Sequence, residues 1–277
     1  MLHDTEPTRP REPIMTSGRG ESAAQRRRDI ADFLLTHSTS TAQELADRFN
    51  VSLVTAHRDL DALARKGVVR KFHGGVTAQP SSVFESSIEY RFGAALTEKA
   101  AIAAHAAALI EPGMSVILDS STTNLHLLDP LEAVRPLTLI TNFVPVISRA
   151  AEWEDVRLVV LGGEYDVRHA STHGISCQEA ARQIRADIGF FSFAGVDRRG
   201  VYHPEQHVAA SKAAMLESAS RRVILADGSK IGRTALHRIA PLDDFERLIT
   251  DDTAPADVVT ALRTGGTEVS VVELGES

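Results

Sequence analysis

Cysteine is nearly absent from the sequence, which has Cys177 alone among 277 residues. A single cysteine excludes an internal disulfide, which is usual for a reducing compartment, so we expect a cytoplasmic protein. Long apolar runs are absent too, since none approaches the roughly 20 residues of a membrane helix. Residues 1–21 lack the apolar stretch of a secretory signal, and we expect them to form a disordered lead-in.

Signatures of cofactor chemistry are also missing. There is no P-loop and no glycine fingerprint of a dinucleotide-binding fold. Among the 11 histidines we consider His203 and His207, which lie four residues apart. Pro204 between them favours a turn over a pair of metal ligands on one helix. We therefore expect no cofactor and no metal site.

Charge is distributed unevenly along the chain. The formal net charge is −7, yet residues 1–80 hold 12 Lys and Arg against 10 Asp and Glu, and the remainder holds 18 against 27. The first part is slightly positive and the second is clearly negative. This asymmetry favours a nucleic-acid-binding module attached to a larger acidic domain.

A helix-turn-helix is predicted at about residues 41–60. Thr41 and Glu44 have the spacing of a capping box, in which each side chain accepts a hydrogen bond from the other residue's backbone N–H. Asn50 suits the left-handed conformation that ends a helix, and Ser52 can cap the next helix almost at once. Two short helices joined by such a tight turn are typical of this motif.

The helix that follows Ser52 is amphipathic. Leu53, Ala56, Leu60 and Leu63 fall on one stripe at helical spacing, which predicts the buried face. Arg58 lies on the opposite side and is expected to face outward. The second helix of the motif enters the major groove, where an arginine can form two hydrogen bonds to guanine.

A basic hairpin is predicted after this helix. Residues 68–72 and 76–77 favour β-strands and flank His73-Gly74-Gly75. A hairpin at this position is the wing of a winged helix-turn-helix domain, which we place at residues 22–78. A three-helix protein-interaction domain with a solvated arginine is the alternative. The residues expected to touch DNA are Ser52, Val54, Thr55, His57, Arg58, Arg65, Arg70, Lys71 and His73.

A second domain is predicted after a linker. Residues 79–96 start with a polar, Pro/Ser-rich stretch typical of a linker. Across residues 97–277, apolar strands alternate with helices, which predicts an α/β domain whose mostly parallel sheet is covered on both faces. The predicted strands are 114–118, 137–141, 156–161, 188–194, 222–226, 246–250 and 268–273. The predicted helices are 97–110, 123–128, 145–152, 176–185, 206–220 and 255–263.

Polar residues follow most of the predicted strands. The carboxyl ends of the strands in a parallel sheet lie along one edge, and ligands of open α/β sheets bind there. Ser121-Thr122-Thr123, between a strand and a helix start, suits an anion such as phosphate, with Lys212 and Lys230 as countercharge. Carboxylates at this edge would accept hydrogen bonds from sugar hydroxyls. The predicted effector-binding residues are Asp119, Ser120, Ser121, Thr122, Thr123, Asn124, Asn142, Gly162, Gly163, Asp197, Glu205, Lys212, Asp227 and Lys230.

Purely structural roles remain open for several of these residues. Ser and Thr after a strand are often helix caps. Gly162-Gly163 is equally typical of a tight turn, and Asp227 with Lys230 could form a surface pair. Several polar strand ends together nevertheless favour a binding site at this edge.

The chain resembles the DeoR (GlpR-like) family of transcriptional regulators over residues 22 to about 252. The N-terminal part of the resemblance rests on Thr41-Ala42-Gln43-Glu44-Leu45-Ala46, Val51-Ser52 with Thr55, Arg58-Asp59-Leu60, Arg70 and His73-Gly74-Gly75. The C-terminal part rests on Glu98-Lys99, Asp119 with Thr122-Thr123, Thr141-Asn142, Gly162-Gly163, Gly174, Asp187, Gly195 with Asp197, Lys212, Asp227 with Ser229-Lys230, and Thr250-Asp251. The family usually has Arg in place of His57 and Gly in place of Ser121.

The resemblance implies a sensor domain similar in fold to ribose-5-phosphate isomerase, with a phosphorylated sugar or polyol as effector. It implies a repressor of a carbohydrate-metabolism operon that binds double-stranded operator DNA as a homodimer or homotetramer, without a membrane partner. We expect effector binding to release DNA through a coupling of about 1–3 kcal/mol. The alternative is an isomerase-like enzyme in which Asp197, Glu205 and Lys212 transfer protons. An enzyme does not need a winged helix, so we expect a non-enzymatic function.

Overall fold

The computed structural model describes residues 23–275 except residues 24, 28, 32, 35, 36, 38, 66, 67 and 79–87. The predicted lead-in and the first part of the predicted linker lie outside these residues. The chain divides into two compact units, one through Ala78 and one from Gln79. In the part of the chain so described, no helix is both long and apolar enough to cross a membrane.

The N-terminal unit combines helices with a small antiparallel sheet. Helical residues between 23 and 37 come first. They are followed by strand β1 (Thr39–Ser40), helix α1 (Ala42–Arg48), helix α2 (Leu53–Arg65), strand β2 (Val69–Phe72) and strand β3 (Gly75–Ala78). The strands lie in the order β1-β3-β2. The buried side chains of this unit include Ile30, Leu34, Leu45, Leu60 and Val76.

The turn between α1 and α2 has the predicted caps. Thr41 Oγ1 accepts a hydrogen bond from the Glu44 backbone N–H at 3.1 Å, and the Glu44 carboxylate accepts one from the Thr41 backbone N–H at 2.9 Å. Asn50 has a φ of 49°, in the left-handed region. Ser52 Oγ accepts a hydrogen bond from the Thr55 backbone N–H at 3.2 Å. The predicted helix-turn-helix geometry is therefore confirmed.

The buried face of α2 differs from the prediction at two positions. Leu53, predicted to be buried, is 41% exposed, whereas the other members of the stripe are buried. Leu53 is the first residue of the helix, and at this end the apolar stripe extends beyond the buried core. Asp59 is buried instead, because Arg26 Nε donates a hydrogen bond to its carboxylate at 2.7 Å. This ion pair attaches the first helical segment to α2.

The described part of the C-terminal unit is built on a seven-stranded parallel sheet, as predicted. Its strands are β4 (Ser115–Leu118), β5 (Leu137–Thr141), β6 (Val156–Val160), β9 (Ala186–Phe191), β12 (Ala219–Leu225), β14 (Arg247–Asp251) and β15 (Val269–Val272). They lie in the order β15-β14-β12-β9-β4-β5-β6. The carboxyl ends of β4, β9 and β12 therefore lie side by side at the middle of one edge.

Helices cover both faces of this sheet. They are α3 (Ile88–Gly93), α4 (Leu96–Ala107), α5 (Thr122–Leu125), α6 (Leu128–Leu131), α7 (Val144–Ala150), α8 (Ile175–Arg182), α9 (Gln206–Glu217) and α10 (Ala256–Thr264), with short 3₁₀ helices at Gly228–Lys230 and Leu242–Asp244. Val116 and Leu118 pack in one hydrophobic cluster with Ile102 of α4. Ile117, between them, packs in a second cluster with Met215 of α9. This alternation is the pleat of a strand that is buried on both faces.

In the described part of this unit, two small antiparallel sheets accompany the parallel one, and neither is predicted from the sequence. One is the hairpin of β7 (Glu164–Asp166) and β8 (Ser171–His173). The other consists of β10 (Gly195–Asp197), β11 (Gly200–His203) and β13 (His237–Ala240). The predicted strand 188–194 is wrong at its end, because β9 stops at Phe191 and β10 starts a new sheet. The predicted helix 123–128 is divided between α5 and α6, and α3 forms within the predicted linker.

Candidate DNA-binding surface and effector site

The outer face of α2 presents polar and basic side chains. Arg58 is exposed, as predicted. Val54, in the first turn, is 61% exposed. The Ser52 and Thr55 hydroxyl oxygens lie 2.9 Å apart, so the cap of α2 also fixes two side chains predicted to touch DNA. Of the nine residues predicted to touch DNA, eight are exposed and Thr55 is half-buried.

The hairpin after α2 has the predicted geometry. Phe72 and Gly75 are paired across a two-residue turn at His73 and Gly74. Gly74 has a φ of 91°, which L side chains rarely adopt, so glycine suits this turn. Arg70, Lys71 and His73 are exposed. The wing is therefore present with its basic side chains facing solvent.

An ion pair connects the wing to α2. Lys71 Nζ donates a hydrogen bond to the Asp61 carboxylate. This contact lowers the pKa of Asp61. Both side chains remain partly exposed, so the pair is a surface contact with a modest effect on stability. It places one acidic group among the basic side chains of this face.

A polar pocket lies at the carboxyl ends of β4, β9 and β12. It contains about 300 Å³ of space between protein atoms, including the solvent at its mouth. Three basic side chains and a run of four hydroxyl side chains contribute to its wall. The lining residues are Arg91, Ser120, Ser121, Thr122, Thr123, Ser192, Phe193, Ala194, His203, Lys212 and Lys230.

A buried ion pair forms the base of this pocket. Lys212 Nζ donates hydrogen bonds to the Asp119 carboxylate and, at 2.9 Å, to the Ser192 carbonyl oxygen. Asp119 also accepts hydrogen bonds from the Ser192 backbone N–H at 3.1 Å and from Asn124 Nδ2 at 2.7 Å. Burial lowers the pKa of Lys212 and raises that of Asp119, while their mutual attraction opposes both shifts. These contacts join the ends of β4 and β9 to α9.

Ser121 acts as a helix cap within the pocket wall. Its Oγ accepts hydrogen bonds from the backbone N–H groups of Thr123 at 3.0 Å and Asn124 at 3.2 Å. The Asn124 side chain also donates to the Phe190 carbonyl oxygen at 2.7 Å. Ser121 and Asn124 therefore shape the loop after β4, as the structural alternative in the sequence analysis holds.

The structure separates the predicted effector residues into three groups. Those that line the pocket are Ser120, Ser121, Thr122, Thr123, Lys212 and Lys230. Those that support it are Asp119, Asn124 and Asp227, the last by capping the 3₁₀ turn that ends at Lys230. Those that do not line it are Asn142, Gly162, Gly163, Asp197 and Glu205.

Asp197 lies in a different place from that predicted. Its carboxylate accepts hydrogen bonds from the backbone N–H groups of Arg199 at 2.8 Å and Gly200 at 3.2 Å and from the Tyr202 hydroxyl at 2.8 Å. It therefore holds the turn between β10 and β11. The prediction that it follows a strand of the parallel sheet is wrong, because β9 ends six residues earlier, at Phe191.

Asn142 and Gly163 have structural contacts with β8. Asn142 Nδ2 donates a hydrogen bond to the Thr172 carbonyl oxygen at 2.8 Å. A Cβ atom at Gly163 would lie 2.2 Å from the His173 carbonyl oxygen, and the φ of Gly163 is 139°. Glycine is therefore required there by the close approach of β8. A Cβ atom at Gly162 would meet no atom within 4 Å.

Glu205 belongs to a group of histidines and carboxylates beside the pocket. Its carboxylate is hydrogen-bonded to His169 Nε2 and lies 3.0 Å from Arg168 Nη1. His207 Nε2 lies 2.9 Å from the Asp166 carboxylate. The expectation of no metal site rests on the spacing of His203 and His207 alone, so it misses this group. His169 and His173 have the same four-residue spacing and would have indicated it.

Five pocket residues are missed by the sequence analysis. Ser192, Phe193 and Ala194 directly follow β9, so the strand-end rule would have found them had the strand been ended correctly. Arg91 comes from α3, where the sequence favours a linker. His203 Nδ1 accepts a hydrogen bond from the Glu205 backbone N–H at 3.2 Å. Burial holds the pKa of His203 well below its usual value, so the ring is neutral and its Nε2–H is a donor.

Comparisons with known proteins agree with this architecture. The DeoR-like helix-turn-helix domain matches residues 26–82, and the DeoR C-terminal sensor domain matches residues 94–252. The chain is 31% identical over 232 residues to the transcriptional repressor AccR of Agrobacterium fabrum, covering 83% of this chain and 90% of the relative. It is 30% identical over 238 residues to the transcriptional regulator YgbI of Escherichia coli, covering 86% and 93%.

A third relative is named for a metabolic regulon. The chain is 28% identical over 239 residues to the glycerol-3-phosphate regulon repressor of Escherichia coli, covering 86% of this chain and 94% of the relative. Both domain matches occur in the order of the two structural units. The chain therefore belongs to the DeoR family of transcriptional regulators.

Proposed function

We propose that this protein is a repressor of a carbohydrate-metabolism operon and that a phosphorylated sugar or polyol releases it from operator DNA. The observation that supports this best is the presence, in one chain, of an exposed arginine on a helix-turn-helix and a polar pocket with three basic side chains at the sheet edge. Its relatives include repressors named for the glycerol-3-phosphate regulon and, putatively, for the aga operon.

DNA recognition is assigned to α2 and the wing. Arg58 would read a base edge in the major groove, with Val54, Thr55 and His57 beside it on the same helix. Ser52, Arg65, Arg70, Lys71 and His73 would contact phosphates or the adjacent groove. Because base contacts specify and phosphate contacts position, Arg58 should control sequence preference and the wing should control overall affinity.

The effector is assigned to the pocket after β4, β9 and β12. The hydroxyl side chains of Thr122 and Thr123 and the charges of Arg91 and Lys230 suit a phosphate group. The neutral His203 ring offers a donor to a sugar hydroxyl. A strongly apolar or cationic ligand would find few partners in such a wall. The phosphate ester of a hydroxylated metabolite therefore matches the lining best.

The catalytic alternative requires Asp197, Glu205 and Lys212 to face one substrate. Asp197 holds the β10–β11 turn, and the Glu205 carboxylate is engaged by His169 and Arg168. Lys212 is occupied by Asp119 and Ser192. The named relatives are transcriptional regulators. We therefore favour regulation over catalysis, acting in the cytoplasm where the chromosome lies.

DNA binding is tested with the DNA upstream of the gene for this protein. Fluorescence anisotropy should show sequence-specific binding that weakens as salt rises. Arg58→Ala should lose about 1–3 kcal/mol of specific binding, or roughly 5- to 150-fold in affinity. Arg198→Ala, which removes an exposed charge from the other unit, is the control and should bind normally. Equal affinity of wild type and Arg58→Ala for this DNA would contradict the proposed recognition.

Effector release is tested by adding sugar and polyol phosphates to the protein–DNA complex, beside the same compounds without phosphate. One phosphorylated compound should lower the affinity for DNA by about 5- to 150-fold. Thr122→Val and Lys230→Ala should still bind DNA but respond only at higher concentrations. Arg198→Ala should respond as wild type does. Release by the unphosphorylated parent compound, or an unchanged response in both pocket variants, would contradict the assignment.

The oligomeric state decides the form of the operator. A homodimer should require two half-sites about 10 base pairs apart or a multiple of that spacing, and a homotetramer could join two such pairs. Sedimentation equilibrium of the free protein and of the DNA complex would distinguish the two assemblies. A monomer that binds a single half-site with full affinity would contradict both.

A further inference from the structure

Four metal-ligating side chains converge beside the proposed effector pocket. They are Asp166, His169, Glu205 and His207, which we call the His/carboxylate cluster. One donor atom from each residue lies within 4.8 Å of the donor atoms of the other three. Within the described residues, this is the group whose donors converge closely enough to hold one ion. None of these residues is needed for the proposed recognition of DNA.

The cluster joins two separate parts of the C-terminal unit. Asp166 is the last residue of β7, and His169 lies in the turn between β7 and β8. Glu205 is the N-cap of α9, and His207 lies in its first turn. An ion held by all four residues would therefore cross-link the β7–β8 hairpin to the start of the helix that carries Lys212.

The environment combines shielding with access. The His169 side chain is 2% exposed, and those of Asp166 and Glu205 are 14% and 17% exposed. His207 is 41% exposed and leaves the cluster open on one side. This arrangement removes most of the water from the carboxylates, yet an ion could enter past His207. Partly shielded, converging donors are typical of a specific site rather than of scattered surface charge.

The donor chemistry selects the class of ion. Two imidazoles and two carboxylates match Zn²⁺ and related transition metals, whereas Mg²⁺ and Ca²⁺ prefer oxygen donors alone. Zinc bonds to nitrogen and oxygen are about 2.0–2.2 Å long, so donors within 4.8 Å of one another need only small movements to surround the ion. We propose that Asp166, His169, Glu205 and His207 form a transition-metal site of the zinc class.

A further imidazole lies next to the cluster. The His173 ring centroid is 5.2 Å from that of His207 and 6.2 Å from that of His169. His173 is 2% exposed, and its Nδ1 has no hydrogen-bond partner within the part of the chain that the structure describes. A buried imidazole nitrogen without a partner is costly, and water bound to an ion in the neighbouring cluster is one group that could satisfy it. This is an independent indication of a ligand at this place.

Two arginines compete with an ion for the same groups. Arg168 lies 3.0 Å from Glu205 and 3.3 Å from Asp166, and its side chain is 58% exposed, so it can turn into solvent. Arg91 Nη2 lies 3.3 Å from His169 Nδ1. Metal binding through Nε2 places the ring proton on Nδ1, so Arg91 must leave the ring. Because Arg91 also lines the pocket, metal binding would change the charge arrangement there.

The experiment uses the full-length chain without a histidine tag, treated with a chelator and then dialysed. Isothermal titration with Zn²⁺ should show one ion bound per chain, and Co²⁺ should give the visible absorption of a four- or five-coordinate site. Mg²⁺ should give neither signal. Zn²⁺ should also raise the midpoint of thermal unfolding, because an ion that binds the folded chain stabilises it.

Two variants and a control connect binding to the cluster. His207→Ala and Glu205→Gln should lower the Zn²⁺ affinity at least about tenfold and abolish the Co²⁺ absorption. The His207 side chain is 41% exposed, so its variant should fold, as circular dichroism without metal will verify. His105→Ala, in the exposed part of α4, should bind as wild type does.

No stoichiometric binding, or binding that survives in both cluster variants, would overturn the proposal. So would binding that is lost in His105→Ala. Each of these outcomes concerns the metal alone, because DNA binding and effector release are measured in separate assays. The proposed function would stand if this site failed, and the site would stand if the effector assignment failed.

Discussion

Lys212 and Asp119 form a charge pair that is almost fully buried. Taking two charges out of water is costly, and their attraction offsets the cost only while both are present. The pair also has hydrogen bonds to Ser192 and Asn124, so the ammonium group and the carboxylate each have more than one partner. Its position beneath the pocket makes it part of the proposed effector site and of the core at once.

We expect substitutions of Lys212 and Asp119 to have non-additive effects on the free energy of unfolding. Lys212→Met should lower the free energy of unfolding by about 3–5 kcal/mol, because it leaves a buried carboxylate without its partner. Asp119→Asn should be destabilising for the matching reason. The double variant should be more stable than the sum of the single effects predicts, by at least about 1 kcal/mol. Urea unfolding of the four proteins measures this, and strict additivity would show that the two charges do not depend on each other.

Residue identity alone reveals part of the pocket. Ser120, Thr122 and Lys230 follow from polar residue types at strand ends. Arg91 and His203 do not, because α3 and β11, which carry them, are elements that the sequence pattern does not predict. Asp197 shows the opposite error, since a suitable residue type a few residues after a strand lies in another sheet. Chemistry can be read from the sequence, but three-dimensional proximity across small antiparallel sheets cannot.

At the scale of the element, the β7–β8 hairpin depends on one glycine. A Cβ at Gly163 would collide with the His173 carbonyl oxygen, and its φ of 139° already disfavours other residues. The adjacent Gly162 has open space around its Cα. The two neighbours therefore form a matched pair for testing whether this turn is structural.

Gly163→Ala should lower the free energy of unfolding of the C-terminal unit by about 1–3 kcal/mol, because the backbone must shift and the left-handed φ is strained. Gly162→Ala should leave stability within about 0.5 kcal/mol of wild type. Thermal unfolding followed by circular dichroism gives both values. Similar midpoints for the two variants would mean that β8 does not approach Gly163 as described.

Elements with a strong periodic pattern are predictable from the sequence. Each of the seven strands of the parallel sheet lies within a few residues of its prediction, because buried parallel strands are continuous apolar runs bounded by turn residues. The capping box at Thr41 and Glu44 likewise fixes the start of α1. The short strands β1, β7, β8, β10, β11 and β13 are missed, because two to four residues are too few to show alternation. β1 pairs with β3 and β13 with β11 across long stretches of sequence, whereas β7–β8 and β10–β11 are local hairpins.

At the scale of the whole molecule, each unit has its own buried core. The N-terminal unit packs around residues such as Leu45 and Leu60, and the C-terminal unit packs on the two faces of its sheet. Units with separate cores can unfold separately. A substitution in one unit should therefore shift the unfolding transition of that unit alone.

Differential scanning calorimetry should resolve two transitions. The smaller transition should be the unfolding of the N-terminal unit and the larger one that of the C-terminal unit. Thr41→Ala, which removes the capping box of α1, should lower the free energy of unfolding of the N-terminal unit by about 0.5–2 kcal/mol and leave the larger transition unchanged. Gly163→Ala should shift only the larger transition. Gln43→Ala, an exposed position on α1, is the control for the first variant. A single transition that both variants shift would show that the two units unfold together.

The ion pair between Lys71 and Asp61 bears on how easily a repressor is released from its operator. In the proposed DNA complex, a phosphate that attracts Lys71 would leave Asp61 uncovered near the negatively charged double helix, and the repulsion of this carboxylate would subtract from the attraction of the basic residues. An effector that supplies only a few kcal/mol can displace a protein from DNA only if the grip is moderate. We therefore expect Asp61, an acidic residue on a basic face, to keep the affinity for DNA moderate and the binding reversible.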